Sequence, residues 1–324
     1  MFKFSTLALA GAAVLGLTAG ASAGVQSAGS LLVFPYFEGG RNAAAGLDTY
    51  VTVTNINLNA DNGTVKVEYV YINGQTCLEF NRTRTLTPGD TLTVNTRADN
   101  PNSTSGYLYV FAKNKTTGAA TSFNHLIGTS RVVNGGSNSD MEIAPFVFRA
   151  IGAEGANTDT DSDGLRDMNG TEYEGAPDQL FMPRFVGQGS DAQSQLILIG
   201  LTGTKFTTTV DLLIWNDNEE VFSGQHTVDC WQKTPLSQIS GAFDDSFLAS
   251  TNHNTLESFD DTETGMFWIN GLIANSTAAS VSGPAVLATL VEKIEGRSGA
   301  VLPFGVGTQN NGDLVNQSLF PDAN

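Results

Sequence analysis

The chain is 324 residues long, 40% hydrophobic and only 15% charged, with 33 acidic against 16 basic residues and a net charge of −17. The hydrophobic share supports a real core. The scarcity of Lys and Arg clusters excludes phosphate-backbone binding, so nucleic acid is not an expected partner, and the negative balance disfavours docking to anionic membranes. Solubility and cation binding are what an acidic chain favours.

The first element is a targeting segment. Lys3 gives a short positive region, residues 4–18 (FSTLALAGAAVLGLT) an apolar run, and Ala21-Ser22-Ala23 the small-x-small pattern of a signal-peptidase site. The run is too short for a comfortable membrane span. Residues 1–23 are therefore expected to be a cleaved signal, with the mature chain starting at Gly24 and no integral membrane span after cleavage. About 300 residues remain, enough for one large domain or two ordinary ones.

From there the chain reads as two similar halves. LLVFPYF (31–37) is answered by LFMPRF (180–185), DTYVTVTNIN (48–57) by SQLILIGLT (194–202), and TVKVEYVYI (64–72) by TTVDLLIWN (208–216). Each half then meets a Thr-Pro pair, at Thr87-Pro88 and Thr234-Pro235. GYLYVFAKN (106–114) is answered by GMFWINGLI (265–273), both entered by glycine, and APFVFRA (144–150) by LPFGVGT (302–308). The common order predicts a duplication, the repeats covering about 29–152 and 178–308, each of ordinary domain size.

Alternation predicts strands. In TVKVEYVYI, Val65, Val67, Tyr69 and Tyr71 share one face, while the other face begins with Lys66 and Glu68 and turns apolar at Val70 and Ile72. In YLYVFA both faces are apolar, which suits a central strand covered on both sides. NADNG, INGQ, TPGD and NDNE between the runs are turn chemistry. The fold class expected is all-β: two related β-sandwich repeats (24–152 and 179–308), an Asp-rich connector (153–178) and a C-terminal tail (309–324). The one helical spacing, Val286, Leu287, Leu290, Val291 and Ile294 within 284–296, fits a strand nearly as well. An outer-membrane barrel is a rival, weakened by strands such as QLILIGL that lack a polar lumen face.

Cys77 and Cys230 are an even pair in an exported chain, so a disulfide and two separate buried thiols are both open. Cys77 lies ten residues before Thr87 and Cys230 four before Thr234. The two are not copies of one site, and a bond between them would tie the repeats together.

The connector contains NTDTDSDGLRDMNG (157–170). Counted from Asp159, carboxylates stand at positions 1, 3, 5 and 9 (Asp159, Asp161, Asp163, Asp167), Gly164 at 6 and Leu165 at 7. Carboxylates about 4 Å apart repel by about 1 kcal/mol per pair in water and several-fold more when desolvated, so gathering them without a cation is unfavourable. Oxygen-only ligands suit a hard cation rather than zinc. The stretch resembles the start of an EF-hand loop, where position 6 turns sharply and position 7 offers its carbonyl. DTDSDGLRD is also similar to the calcium repeats of thrombospondin type 3 and related bacterial surface proteins. That resemblance, confined to this loop, implies calcium held by Asp159, Asp161, Asp163, Asp167 and the Leu165 carbonyl. The chain departs from the EF-hand pattern at position 12, where Gly170 replaces the bidentate Glu; Glu172 and Glu174 are the candidates to replace it.

Other chemistry is scarce. His125, His226 and His253 lack metal spacing, no Gly-x-Ser-x-Gly elbow appears, and Asp244-Asp245 and Asp260-Asp261 read as solvated loop charges rather than a hydrolytic pair. No enzyme activity is expected. Of the tryptophans, Trp215 and Trp268 sit in apolar runs and are expected in the core, leaving Trp231 as the candidate for an exposed sugar platform. CLEFNRTRTLTPGDT (77–91) is similar to uncharacterised bacterial secreted β-proteins, a resemblance that carries no activity with it. The expectation is an exported, non-catalytic adhesion, matrix or scaffold protein, free or surface-bound, with glycans or surface proteins as partners. The rivals are a carbohydrate-binding pair, a secreted hydrolase and a filament subunit donating 309–324 as a strand.

Overall fold

The computed structural model describes residues 27–39, 46–100, 103–136, 139–189, 192–203, 205, 207–251, 263–270, 275–276, 285–308 and 312–315. The signal segment, His253 and Asp260-Asp261 lie outside them.

The first half folds as strands β1 (Leu31–Glu38), β2 (Leu47–Asn55), β3 (Val65–Asn73), β4 (Glu79–Leu86), β5 (Thr91–Asn95), β6 (Ser105–Lys113), β7 (Leu126–Asn134), β8 (Ser139–Ile143) and β9 (Phe146–Phe148), with a single helical turn, α1 (Thr96–Asp99). The second half contributes β10 (Gln179–Val186), β11 (Ala192–Leu201), β12 (Thr208–Asn216), β13 (Val221–Val228), β14 (Trp231–Pro235), the short helix α2 (Asp245–Ser250), β15 (Thr264–Asn270), β16 (Asn275–Ser276), β17 (Ala285–Ile294), β18 (Arg297–Val301) and β19 (Phe304–Val306). The apolar run at 284–296 is thus a strand, because both its faces are covered: Val286, Ala288 and Leu290 face one core, Ala285 and Leu287 another.

Each half is a sandwich-like pair of open antiparallel sheets. In the first, the order β4-β3-β6-β1-β9 faces β5-β2-β7-β8; in the second, β13-β12-β15-β10-β19 faces β14-β11-β17-β18, with β16 appended to β12. The second list is the first repeated strand for strand. None of the sheets closes into a barrel, and among the described residues no helix is long and apolar enough to cross a membrane.

The duplication extends to irregularities. The register of β1 on β6 shifts between Phe34 and Phe37, and that of β10 on β15 between Met182 and Phe185. Pro35 and Pro183 lie inside these shifts, where a residue without an N–H does least harm to a ladder. Beyond them Phe37 faces Gly106 and Phe185 faces Gly265. A Cβ on Gly106 would meet the Ile72 carbonyl oxygen at 1.9 Å, and one on Gly265 the Trp215 carbonyl oxygen at 2.3 Å, which explains why both strands enter on glycine. The Thr49 hydroxyl accepts from the Glu38 N–H and donates to the Glu38 carbonyl; the Ser194 hydroxyl does the same for Val186.

Two of the sequence matches need correction. Asn73 and Asn216 are the residues opposite Gly106 and Gly265. Laid string on string, TVKVEYVYI and TTVDLLIWN are therefore one residue out, a slip that exchanges faces. Both faces are apolar at that end, so alternation there does not fix the register. The Thr-Pro pairs are not equivalent either: Thr87-Pro88 precedes β5, whereas Thr234-Pro235 ends β14.

The sandwich core of the first half includes Leu32, Phe34, Val51, Val67, Tyr69, Tyr71, Leu108 and Val110. That of the second includes Leu180, Met182, Phe185, Leu196, Leu198, Leu212, Ile214 and Phe267. A further core lies between the halves. The outer face of the β1 sheet (Leu31, Val33, Val70, Tyr109) meets Met168, Tyr173 and Ala176 of the connector, the outer face of β11 and β17 (Ile199, Leu201, Ala285, Leu287), and Leu314 and Val315 of the tail. This core covers Val70, Ile72 and the Tyr107, Tyr109 and Phe111 face of YLYVFA, while the sandwich core of the first half covers its Leu108, Val110 and Ala112 face.

Cys77 and Cys230 form a disulfide in that core, with Cα atoms 6.1 Å apart. It joins the two halves, and it is compatible with an extracellular protein. Trp231 is beside it and is no free platform. Its indole N–H donates to the Pro35 carbonyl at 2.9 Å, its ring stacks on Tyr36, and Gly74 lies against its face. The described part of the tail packs on its own chain, Asp313 bridging to Thr202 and Asp167 and the Tyr109 hydroxyl donating to the Val315 carbonyl at 2.6 Å, so residues 312–315 are not a donated strand.

Candidate metal centre

The aspartate loop is curled by its own short side chains. The Asp159 N–H donates to Asn157 Oδ1, the Asp163 N–H to Asp161 Oδ1, and the Leu165 N–H to Asp163 Oδ1, a run of local turns that Asn and Asp form readily. Gly164 takes φ +81°, the sharp turn expected at position 6, and its N–H donates to Asp159 Oδ1 at 3.3 Å.

The curl gathers carboxylates into two overlapping groups. One carboxylate oxygen each from Asp159, Asp161 and Glu172 lie within 4.8 Å of one another, and so do oxygens from Asp161, Asp163 and Asp167. The structure thus brings Asp159, Asp161, Asp163 and Asp167 together, as their spacing implies, and these acidic clusters could hold a metal ion. Leu165 lies between Asp163 and Asp167 with its side chain against Gly203, which fixes the loop to the end of β11.

Of the two candidates for the missing ligand, Glu172 joins the cluster and Glu174 does not. Thr160 donates to Glu172 Oε1 from its N–H and, at 3.0 Å, from its hydroxyl. Glu174 instead accepts from the Arg149 N–H. Glu172 is 1% exposed and its Oε2 has no hydrogen-bond partner among the described residues; Asp167 is 8% exposed and the same holds for its Oδ1. A buried carboxylate oxygen without a partner is costly unless a cation faces it.

Two participants have no signal in the loop's own spacing. Asp313 arrives from the tail: the Met168 N–H donates to the Gly312 carbonyl at 2.8 Å, and residues 167 and 313 pair across the bridge. Arg166 turns inward, 7% exposed, with its guanidinium 4.8 Å from the Phe111 ring centroid, donating to the Gly164 carbonyl at 2.7 Å and 3.7 Å from Asp159. One guanidinium does not balance the carboxylates around it. Burial, then the charge of Asp313, pushes the Asp167 carboxyl up to about 8. Burial, then Asp163, pushes Asp313 up to about 6. Asp163 and Glu172 are also raised, burial again being the main cause.

The remaining candidates are dispersed. His125 approaches Glu154 at 3.5 Å and His226 pairs with Gln232. Asp244 and Asp245 open helix α2, where Asp245 Oδ1 accepts from the Glu263 N–H. Trp215 and Trp268 are not in the core: they lie half-buried on the outer face of the second half's β10 sheet, 5.9 Å apart. Comparison with protein-family models, with curated proteins and with solved structures finds no match for this chain.

Proposed function

We propose that the chain is an exported, non-catalytic adhesion, matrix or scaffold protein whose two sandwich repeats are locked together by calcium bound in the connector. The observation that supports this is the pair of buried carboxylate oxygens, Asp167 Oδ1 and Glu172 Oε2, that have no hydrogen-bond partner among the described residues and lie inside an all-oxygen cluster. Hard oxygen donors of irregular arrangement favour calcium over zinc, and over magnesium, which demands near-octahedral geometry and keeps its waters. Asp159, Asp161, Asp163, Asp167, Glu172 and the Leu165 carbonyl would hold the ion, with Asp313 adding charge from the tail. The connector's apolar residues are already packed between the halves, so the ion's role is to stiffen a joint rather than to activate a substrate.

Export is supported by the signal-like N-terminal sequence and by the disulfide. Isothermal titration of the full chain gives the test. Calcium should bind at micromolar to millimolar concentration and raise the melting temperature, by about 2.7 kcal/mol of stabilisation at a hundredfold excess over Kd. Absence of heat and of any thermal shift at several millimolar calcium defeats the reading. Fractionation of producing cells into medium, surface and periplasm tests export separately.

A further inference from the structure

The two repeats present the same row of side chains on the outer face of their first sheet, and only one of the rows is covered. In the first repeat the row is Val70, Tyr109, Val33 and Phe146, paired across β3, β6, β1 and β9. Val33, Val70 and Tyr109 are at most 3% exposed beneath the connector, the tail and strands β11 and β17. In the second repeat the matching row is Leu213, Trp268, Phe181 and Phe304, paired across β12, β15, β10 and β19. Leu213 is 46% and Phe304 63% exposed, and Phe181 and Trp268 meet edge to face 5.8 Å apart. With strands spaced about 4.8 Å, this makes an apolar track about 14 Å long.

The track is amphipathic in cross-section. Alongside it runs a polar row that includes Gln225, Asp211, Asn270 and Gln179, and this row lines a groove of 680 Å³ together with Leu213 and Trp268, the track continuing beyond it through Phe181 and Phe304. Among the described residues no Lys or Arg lines the groove, and the one carboxylate there, Asp211, accepts from Gln225 Nε2 at 2.7 Å. In a molecule of net charge −17, a polyanion would be repelled, and a single carboxylate among the described lining residues is too few ligands to hold a cation. Aromatic faces beside amides and hydroxyls fit a ligand that is uncharged, with an apolar ring face and hydroxyl edges. A second copy docking as the halves do would have to offer the outer face of its β2 sheet. That face carries threonine ladders (Thr52–Thr93, Thr54–Thr91) and the Arg131–Asp140 pair, not the apolar surface that β11 and β17 present.

We infer that this groove on the second repeat is a binding site for neutral polysaccharide, with Trp268 as the stacking platform and Gln225, Asp211 and Gln179 as hydroxyl partners. The inference supplies the ligand class for the adhesive role proposed above and rests on that reading for its purpose. The site itself is independent of the cation centre.

Electrophoresis of the calcium-loaded full chain through gels containing hydroxyethylcellulose, galactomannan, soluble starch or mixed-linkage β-glucan tests it. Retardation by at least one neutral polymer is expected, with none by dextran sulfate, and Trp268→Ala should weaken it tenfold or more. Leu213→Asp and Phe304→Ser, at exposed positions, should weaken it in a chain that keeps its fold and its calcium response. No retardation in any neutral gel overturns the inference, as does retardation that survives all three substitutions. So does a dimer, seen by sedimentation, that those substitutions dissociate, since a second copy would then own the face. Calcium titration fails or succeeds separately, so loss of one reading is distinguishable from loss of the other.

Discussion

Asp167 and Asp313 come from segments far apart in the chain and meet among other acids, with Arg166 the cation that the described residues place beside the cluster. An Asp carboxyl raised from its ordinary value near 3.9 to about 8 binds a proton more tightly in the folded state than in the unfolded chain. Its contribution to stability is therefore complete below about pH 4 and is lost as pH rises through about 8. Asp313, raised to about 6, acts in the same direction over a narrower window. In chelator, the melting temperature should be higher at pH 5 than at pH 8. In saturating calcium the difference should vanish or reverse, because the ion replaces the protons and its affinity grows as they leave. A higher melting temperature at pH 8 than at pH 5 in chelator would contradict the assignment. Glu172 illustrates the limit of reading this site in sequence. The spacing of Asp159, Asp161, Asp163 and Asp167 around Gly164 is local and was legible, but the choice between Glu172 and Glu174 depends on which way the chain turns after Asn169. There the Thr171 and Glu172 N–H groups both donate to Asn169 Oδ1, and that turn decides it.

Among the elements, the paired bulges are the most specific trace of the duplication. Pro35 and Pro183 break ladders at equivalent places, and Gly106 and Gly265 let the neighbouring strand pass within contact of their backbone. Gly106→Ala and Gly265→Ala should each cost about 3 kcal/mol, because the added methyl meets a carbonyl oxygen rather than a mobile side chain. Urea denaturation of the two variants checks this, and a loss under about 1 kcal/mol in both would show that the strands shift freely. Strand type was readable from alternation, since a side chain's face is set by its immediate neighbours in sequence. Alternation does not say what covers a face. Trp215 and Trp268, sitting in apolar runs like those of the first repeat, read as core, yet their face is open, while Trp231, flanked by polar residues, is wedged against Tyr36 and Pro35.

At the scale of the molecule, the halves are joined through a shared core that connector residues, Leu314 and Val315 of the tail and the disulfide all enter. The bond closes a separation of 153 residues. Replacing both cysteines by alanine should remove up to about 4–5 kcal/mol of stability in the chain-entropy account. A double variant with an unchanged urea midpoint would show the rest of the joint to be sufficient. The tail separates two effects. Asp313→Asn should lower calcium affinity with little loss of stability in chelator, whereas truncation after residue 311 should lower both, since it also removes the buried Leu314 and Val315 and the acceptor of the Tyr109 hydroxyl. Equal behaviour of the two variants in chelator would show that the tail's apolar residues contribute little.

Taken by itself, the sequence determined the all-β character, the order of the repeats, the inequivalence of the two cysteines and the curled aspartate loop. Each of these depends on residues within a few positions of one another or on a comparison of one half with the other. Only the tertiary structure decided that Cys77 meets Cys230, that Glu172 and Asp313 face the loop, that residues 312–315 of the tail pack on their own chain, and that one aromatic row is covered while its counterpart is open. Those outcomes depend on which surfaces meet across more than a hundred residues of chain, and burial is a property of the partner surface as much as of the residues buried.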